Sequence, residues 1–443
     1  MLCQRTGQGA HRWRVRWFVV KSTTYLLTLR FSGSGALVAA QTLREQSYTG
    51  SVTIISREPN LPIDRTKLSK ALIADASKIE LRPQEWFKES DIELVSDEVS
   101  GVDFDKNSVS TASGKSYPYT KLILASGGTP KSLPLPGFKD LKNVFLLRTI
   151  PDVQAILKAV GEQKQKKIVV IGSSFIGMEV GNALAKENDV TIVGMESTPL
   201  QRVMGEQVGK IFQSILTKNG VKFHMEASVD SAAPSSKDSE TVGSVKLKDG
   251  TALEADLVIL GVGVAPATEY LKDNSKIQLE KDGSLQTNES FAVKGLSDVY
   301  AIGDIATYPY HGPGSDGTLT RIEHWNVAQN AGRSVARTIA TGGKAPVKPF
   351  VPIFWSALGS QLRYCGNTPN GWDDLVLQGE PDNGKFTAFF GKGDTTVAVA
   401  SMMMDPVMTQ SAELMRRGSM PGLKELRGGL DVRDVPLPQE IKL

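Results

Sequence analysis

Cysteine is nearly absent: Cys3 and Cys365 are the only two in 443 residues. No CxxC or CxxxxC pair exists, which argues against a disulfide framework and against a dithiol redox centre. Histidine is scarce, and none follows His324, so the C-terminal part offers no imidazole and one thiol for iron, zinc or copper, and no metal is expected. No apolar run approaches the roughly 18 residues of a membrane span. A net charge of +3 is too small to point to a nucleic-acid partner. One absence is local. Residues 1–44 contain no Asp or Glu but carry Arg5, Arg12, Arg14, Arg16, Lys21, Arg30 and Arg44. Residues 1–24 therefore read either as a mitochondrial targeting segment or as the plain basic tail of a cytoplasmic protein.

What is present is glycine at the ends of apolar runs. The organising stretch is Lys166–Glu196: the run Ile168–Ile171, a turn with Gly172 and Gly177, a helical stripe through Met178, Val180 and Leu184, a second run Val190–Val193, and Glu196. Strand, glycine turn, helix, strand and acid form the unit in which backbone approaches a pyrophosphate and the acid takes ribose hydroxyls. Ser174 replaces the middle glycine, and the plainer alternative is that the glycines only tighten a turn.

A second such unit starts the chain. Tyr25–Phe31 reads as a strand, the stripe Leu37, Ala40 and Leu43 as a helix, and Ser51–Ile55 as a strand closed by Arg57 and Glu58. Gly33 holds the middle glycine position and Ala36 the third, but Phe31 puts a bulky side chain at the first. Leu61–Lys70 is a proline-initiated loop and helix. Lys121–Ala125 is a buried strand ending in Ser126, Gly127 and Gly128, followed by a proline-rich crossover at 132–137.

Beyond Glu196 the pattern predicts a helix at Val208–Leu216, a strand at Val221–Met225 and a polar loop at Ser231–Glu240. A hairpin joins Gly243–Lys248 to Ala252–Leu260, which ends in Gly261 and Gly263. Asp298–Ile302 runs into Gly303 and Asp304, where the carboxylate either meets a cofactor hydroxyl or caps the next helix. Glu323, His324 and Trp325 precede a helix at Val327–Ile339. From Val351 short strands without long helices indicate a separate α+β domain, in which Met402–Met404 read as packing residues.

Taken together, these motifs resemble the two-dinucleotide flavoprotein reductases, in the branch of apoptosis-inducing-factor-like and ferredoxin-reductase-like proteins. LPIDRTKLSK is similar to the family's LPYDRPxLSK, GSSFIGMEV to its NAD motif, VYAIGDIA to its second FAD motif, and VPIFWSALG to the opening of its last domain. The resemblance implies an α/β fold with two Rossmann-like, glutathione-reductase-like domains and a C-terminal α+β domain. Its division places the FAD domain at 25–133 and 256–345, the NAD domain at 134–255 and the α+β domain at 346–443. Before Tyr25 stand one cysteine and one histidine, Cys3 and His11, fewer than the two of each that a Rieske cluster takes.

The implied roles follow the matching positions. Gly33, Ala36, Glu58, Ser126, Gly127, Gly263, Gly303 and Asp304 would approach FAD, with Arg65 and Lys70 along the flavin. Gly172, Gly177 and Glu196 would meet NAD(H), and Glu323, His324 and Trp355 would line the pocket of the two reacting rings. Glu179 matches the acid that pairs with Lys70, and a cation at the flavin stabilises charge gained on reduction.

The implied function is an FAD-dependent NAD(P)H oxidoreductase that passes electrons to an external acceptor, an iron-sulfur protein or a quinone, as monomer or homodimer. Glu196 favours NADH over NADPH, because a carboxylate repels a 2'-phosphate. The alternative is a redox-responsive binding protein with slow turnover, and a third reading is a relative that keeps the fold but binds FAD poorly because of Phe31.

Overall fold

The computed structural model describes residues 26–28 and 33–439. The basic segment 1–24 and Phe31 lie outside the described residues. Among those described, no helix is long and apolar enough to cross a membrane.

Two parallel sheets dominate. The first has five strands in the order Val299–Ala301, Lys121–Leu124, Leu26–Thr28, Val52–Ser56 and Ile92–Ser96. Every residue of Val52–Ser56 is buried, as a strand covered on both faces requires. Helix Ser34–Glu45 follows the central strand and packs on helix Trp325–Ala340 from far along the chain. Their backbones nearly touch: a Cβ on Gly332 would stand 2.4 Å from the Gly35 carbonyl oxygen, so that crossing needs glycine.

The second sheet runs Val221–His224, Asp189–Val193, Lys167–Ile171, Leu257–Leu260 and Val144–Phe145, all parallel. It corrects the expected hairpin. Only Ala252–Glu254 pairs with Ser244–Lys246, whereas Leu257–Leu260 leaves the hairpin and lies beside Lys167–Ile171. Asp256 makes the switch, its backbone N–H donating to the Lys167 carbonyl and its Oδ2 accepting from the Lys167 N–H, both at 2.8 Å. The physical reason is burial: an unbroken apolar run suits a two-sided sheet rather than an exposed hairpin. The chain thus returns to the first sheet's domain after Leu260, not at 256. The stretch expected as a loop from Ser231 also begins as strand, within Val229–Pro234.

Gly128–Pro130 and Val264–Pro266 pair antiparallel where the chain passes between the two sheets. The last domain is a five-stranded antiparallel sheet ordered Ile353–Ala357, Gln361–Gly366, Thr395–Met402, Lys385–Lys392 and Asp374–Glu380. Helices Val407–Arg416 and Leu423–Arg427 accompany it, and Met402 is buried in its last long strand. This sheet shares a core with the second sheet's domain: Phe212 meets Phe386 at a ring separation of 6.0 Å. The helix expected at Val208–Leu216 extends over Gln201–Lys218 and breaks at Gly205, whose φ is 74°. A Cβ there would meet the Trp372 ring at 2.6 Å.

Candidate active site

A cavity of about 560 Å³ is lined by residues of both parallel sheets' domains and of the C-terminal sheet. At one wall stands Lys70, in the last turn of helix Thr66–Ala71, with Nζ 3.1 Å from Glu179 Oε1. Glu179 projects from helix Phe175–Ala185 and is 4% exposed. A buried carboxylate needs partners, and this one has three. Ser69 Oγ donates to its Oε2 and Ser356 Oγ to its Oε1, each at 2.5 Å, so all three domains meet at one side chain.

A second chain of charges runs along the first sheet's side. Arg65 donates to Glu58 Oε2 at 2.7 Å and to the Arg148 carbonyl at 2.5 Å. Arg148 in turn donates from Nη2 to Asp304 Oδ2 at 2.8 Å, while its buried Nε has no partner among the described residues. Asp304 lies in the short turn Gly303–Ile305, which leads into strand Ala306–Tyr310, so it caps no following helix. Arg321 pairs with Glu323 and, at 2.7 Å, with Asp282. Desolvation within the cavity wall raises the Glu323 carboxyl above its ordinary range against the pull of Arg321, although its side chain keeps 35% exposure.

His324 precedes helix Trp325–Ala340, with its ring 4.4 Å from that of Phe354. Its Nδ1 is enclosed without a partner among the described residues, and burial brings its pKa down to about 4. It is therefore a neutral imidazole near pH 7. Trp355, at 49% exposure, stands on the cavity wall.

Of the residues singled out in the sequence, Gly33, Arg65, Lys70, Gly127, Glu179, Gly263, Gly303, Asp304, Glu323, His324 and Trp355 line this cavity. The others sit behind or beside it. Ala36 is core, Glu58 is buried against Arg65, and buried Ser126 lies 3.4 Å from the Tyr270 hydroxyl. Gly172 and Gly177 pack on each other, since a Cβ on Gly177 would stand 2.0 Å from the Gly172 carbonyl oxygen. Glu196 is engaged by Arg202 at 2.6 Å. Ser174 is tolerated in place of glycine because its φ is −80° and its hydroxyl donates to the Gly261 carbonyl at 3.1 Å.

Sequence reasoning missed Ser69, Arg148, Arg321 and Ser356. Arg148 had one local signal: the Thr149 and Asp152 capping box marks the helix start just after it. Nothing local says that its side chain reaches Asp304.

The profile of the family described as pyridine nucleotide-disulphide oxidoreductase matches residues 32–332. The chain is 36% identical over 391 residues to apoptosis-inducing factor 3 of Mus musculus, covering 87% of this chain and 62% of the relative. It is 32% identical to rhodocoxin reductase of Rhodococcus erythropolis, covering 84% of each. The solved ferredoxin reductase for the CYP199A2 system from Rhodopseudomonas palustris superposes with a TM-score of 0.84 at 27% identity, covering 92% of this chain and 98% of that one. The chain spans about 62% of the length of the apoptosis-inducing factor 3 relatives it matches. With both Rossmann-like domains present and the match running through them, the chain belongs to the pyridine nucleotide-disulphide oxidoreductase family.

Proposed function

We propose that the chain is an NADH-dependent FAD oxidoreductase that delivers electrons to an external acceptor. The observation that carries this reading is one cavity between two nucleotide-type sheets with the Lys70–Glu179 pair at its wall. The residues present suit FAD: five cations line the cavity (Arg65, Lys70, Arg148, Arg202 and Arg321), and two enclosed nitrogens, Arg148 Nε and His324 Nδ1, have no partner among the described residues. When bound, FAD supplies the redox chemistry, accepting a hydride from the nicotinamide and passing electrons on.

The protein's part is position and charge. Arg148 would offer donors to the cofactor's diphosphate, Arg65 would lie along the flavin, and Asp304, oriented by Arg148, would accept from the cofactor's hydroxyls. Lys70 would place a positive charge beside a bound flavin and so stabilise the negative charge it gains on reduction. Glu179, fixed by Ser69 and Ser356, holds that ammonium in place. His324 stays uncharged and, with Phe354, forms an aromatic wall that excludes water from the ring pocket. Glu196 takes the adenosine ribose of the dinucleotide and favours NADH.

An iron-sulfur protein is the acceptor we favour. One related structure is a covalent putidaredoxin reductase–putidaredoxin complex, 26% identical over 88% of this chain. Half-exposed Trp355 at the cavity offers such an acceptor an aromatic contact. The similarity to apoptosis-inducing factor 3 favours a second reading, a redox-responsive binding protein with slow turnover. An absorption spectrum of the purified protein before and after anaerobic NADH tests the first. Flavin bands that bleach support it, and a colourless protein that takes up no added FAD overturns it.

A further inference from the structure

A second cavity, of about 190 Å³, lies apart from the active site, between helix Trp325–Ala340, the connecting segment 345–350 and helix Val407–Arg416 of the C-terminal domain. Four cations line it, Arg333, Arg337, Lys348 and Arg416, and no carboxylate does among the described residues. Arg333 and Arg337 stand four residues apart and so share a helix face. Glu413 answers Arg416 at 2.7 Å but also serves Arg417, and Arg333 donates to the neutral Asn330 Oδ1 at 3.0 Å. Arg337 and Lys348 enter no ion pair among the described residues. An arginine in the last turn complements the negative end of a helix dipole, which accounts for Arg337. It does not account for Lys348 and Arg416, which two other segments bring to the same recess. Like charges gathered around one hollow repel, and an anion within it turns that repulsion into attraction. The space equals roughly six waters at about 30 Å³ each, room for a phosphate group and a small appendage. Phe350, Pro346 and Pro349 give the rest of the wall an apolar surface.

We propose that this cleft binds a phosphate monoester whose organic part is small and apolar or aromatic. The guanidinium groups of Arg333 and Arg337 and the Lys348 ammonium take the phosphate oxygens, and Phe350 and the prolines cover the organic part. Arg416 faces the same ligand from the C-terminal domain, so occupancy ties that domain to the helix whose first residues line the active-site cavity. The site stands independently of the flavin and nucleotide assignments.

Calorimetric titration of the full chain with phenyl phosphate and with inorganic phosphate tests the site. Phenyl phosphate should bind with a dissociation constant below about 1 mM at low salt. Inorganic phosphate should bind several-fold more weakly, because it has no ring to bury against Phe350. Arg337→Gln with Lys348→Gln, two positions where no ion pair is broken, should weaken phenyl phosphate by about tenfold or more. Arg202→Gln, on the active-site cavity, should leave that binding unchanged and so separates the two cavities. Phenyl phosphate should also raise the melting temperature of the unmodified protein and not that of the double variant. Vesicles containing phosphatidate carry the same phosphate chemistry on a lipid. Retention on them that the double variant loses assigns the ligand to a membrane surface, and binding of phenyl phosphate without retention assigns it to a soluble compound. No binding of either probe, or equal binding by the unmodified protein and the double variant, overturns the proposal, and equal affinity for the two probes overturns the role of the apolar wall.

Discussion

Lys70 Nζ and Glu179 Oε1 stand 3.1 Å apart, joining the helix that follows the first nucleotide unit to the helix of the second. Neither helix is long, and neither would fix the other by itself. The buried carboxylate is held as well by Ser69 from one side and Ser356 from the other, so the acid that faces the ammonium is fixed independently of it.

Lys70→Ala should therefore keep the fold, because two hydroxyls still satisfy Glu179, and should slow flavin reduction by NADH roughly a hundredfold, the usual scale for losing one preorganised charge or donor. Anaerobic stopped-flow absorbance gives the rate. An unchanged rate would remove Lys70 from the mechanism.

Gly177→Ala should destabilise the protein by about 1–3 kcal/mol, since the new methyl meets the Gly172 carbonyl at 2.0 Å and the turn must open. Gly101→Ala is the control, for a Cβ there meets nothing within 4 Å. Urea denaturation of the two variants should separate them clearly, and equal midpoints would contradict the packing role of Gly177.

His324 gives a pH dependence of known sign. Its folded pKa of about 4 lies below the ordinary 6.5, so the unfolded chain takes up the proton first as pH falls. The stability it contributes is present above about pH 6.5 and is lost toward pH 4. Between pH 7.5 and 5 the native protein should lose roughly 1–2 kcal/mol more than His324→Asn. Parallel losses in the two proteins would show that the imidazole is not held neutral by the fold.

The sequence by itself determined the local units. Apolar runs at Ile168–Ile171 and Val190–Val193, with Gly172 between them, can form little else than strands around a tight turn, because hydrophobic period and backbone freedom are properties of adjacent residues. The same holds for the hairpins beyond Val351, where Ile353–Ala357 turns back on Gln361–Gly366 and Lys385–Lys392 on Thr395–Met402. Tertiary structure decided the partners. Leu257–Leu260 joined the parallel sheet because burial on two faces outweighs an adjacent hairpin, and no neighbouring residue records that competition. Arg148 found Asp304, Ser356 found Glu179 and Arg202 covered Glu196 for the same reason. Each is an electrostatic pairing set by distance in space, and a linear chain encodes that distance only through the whole of its packing.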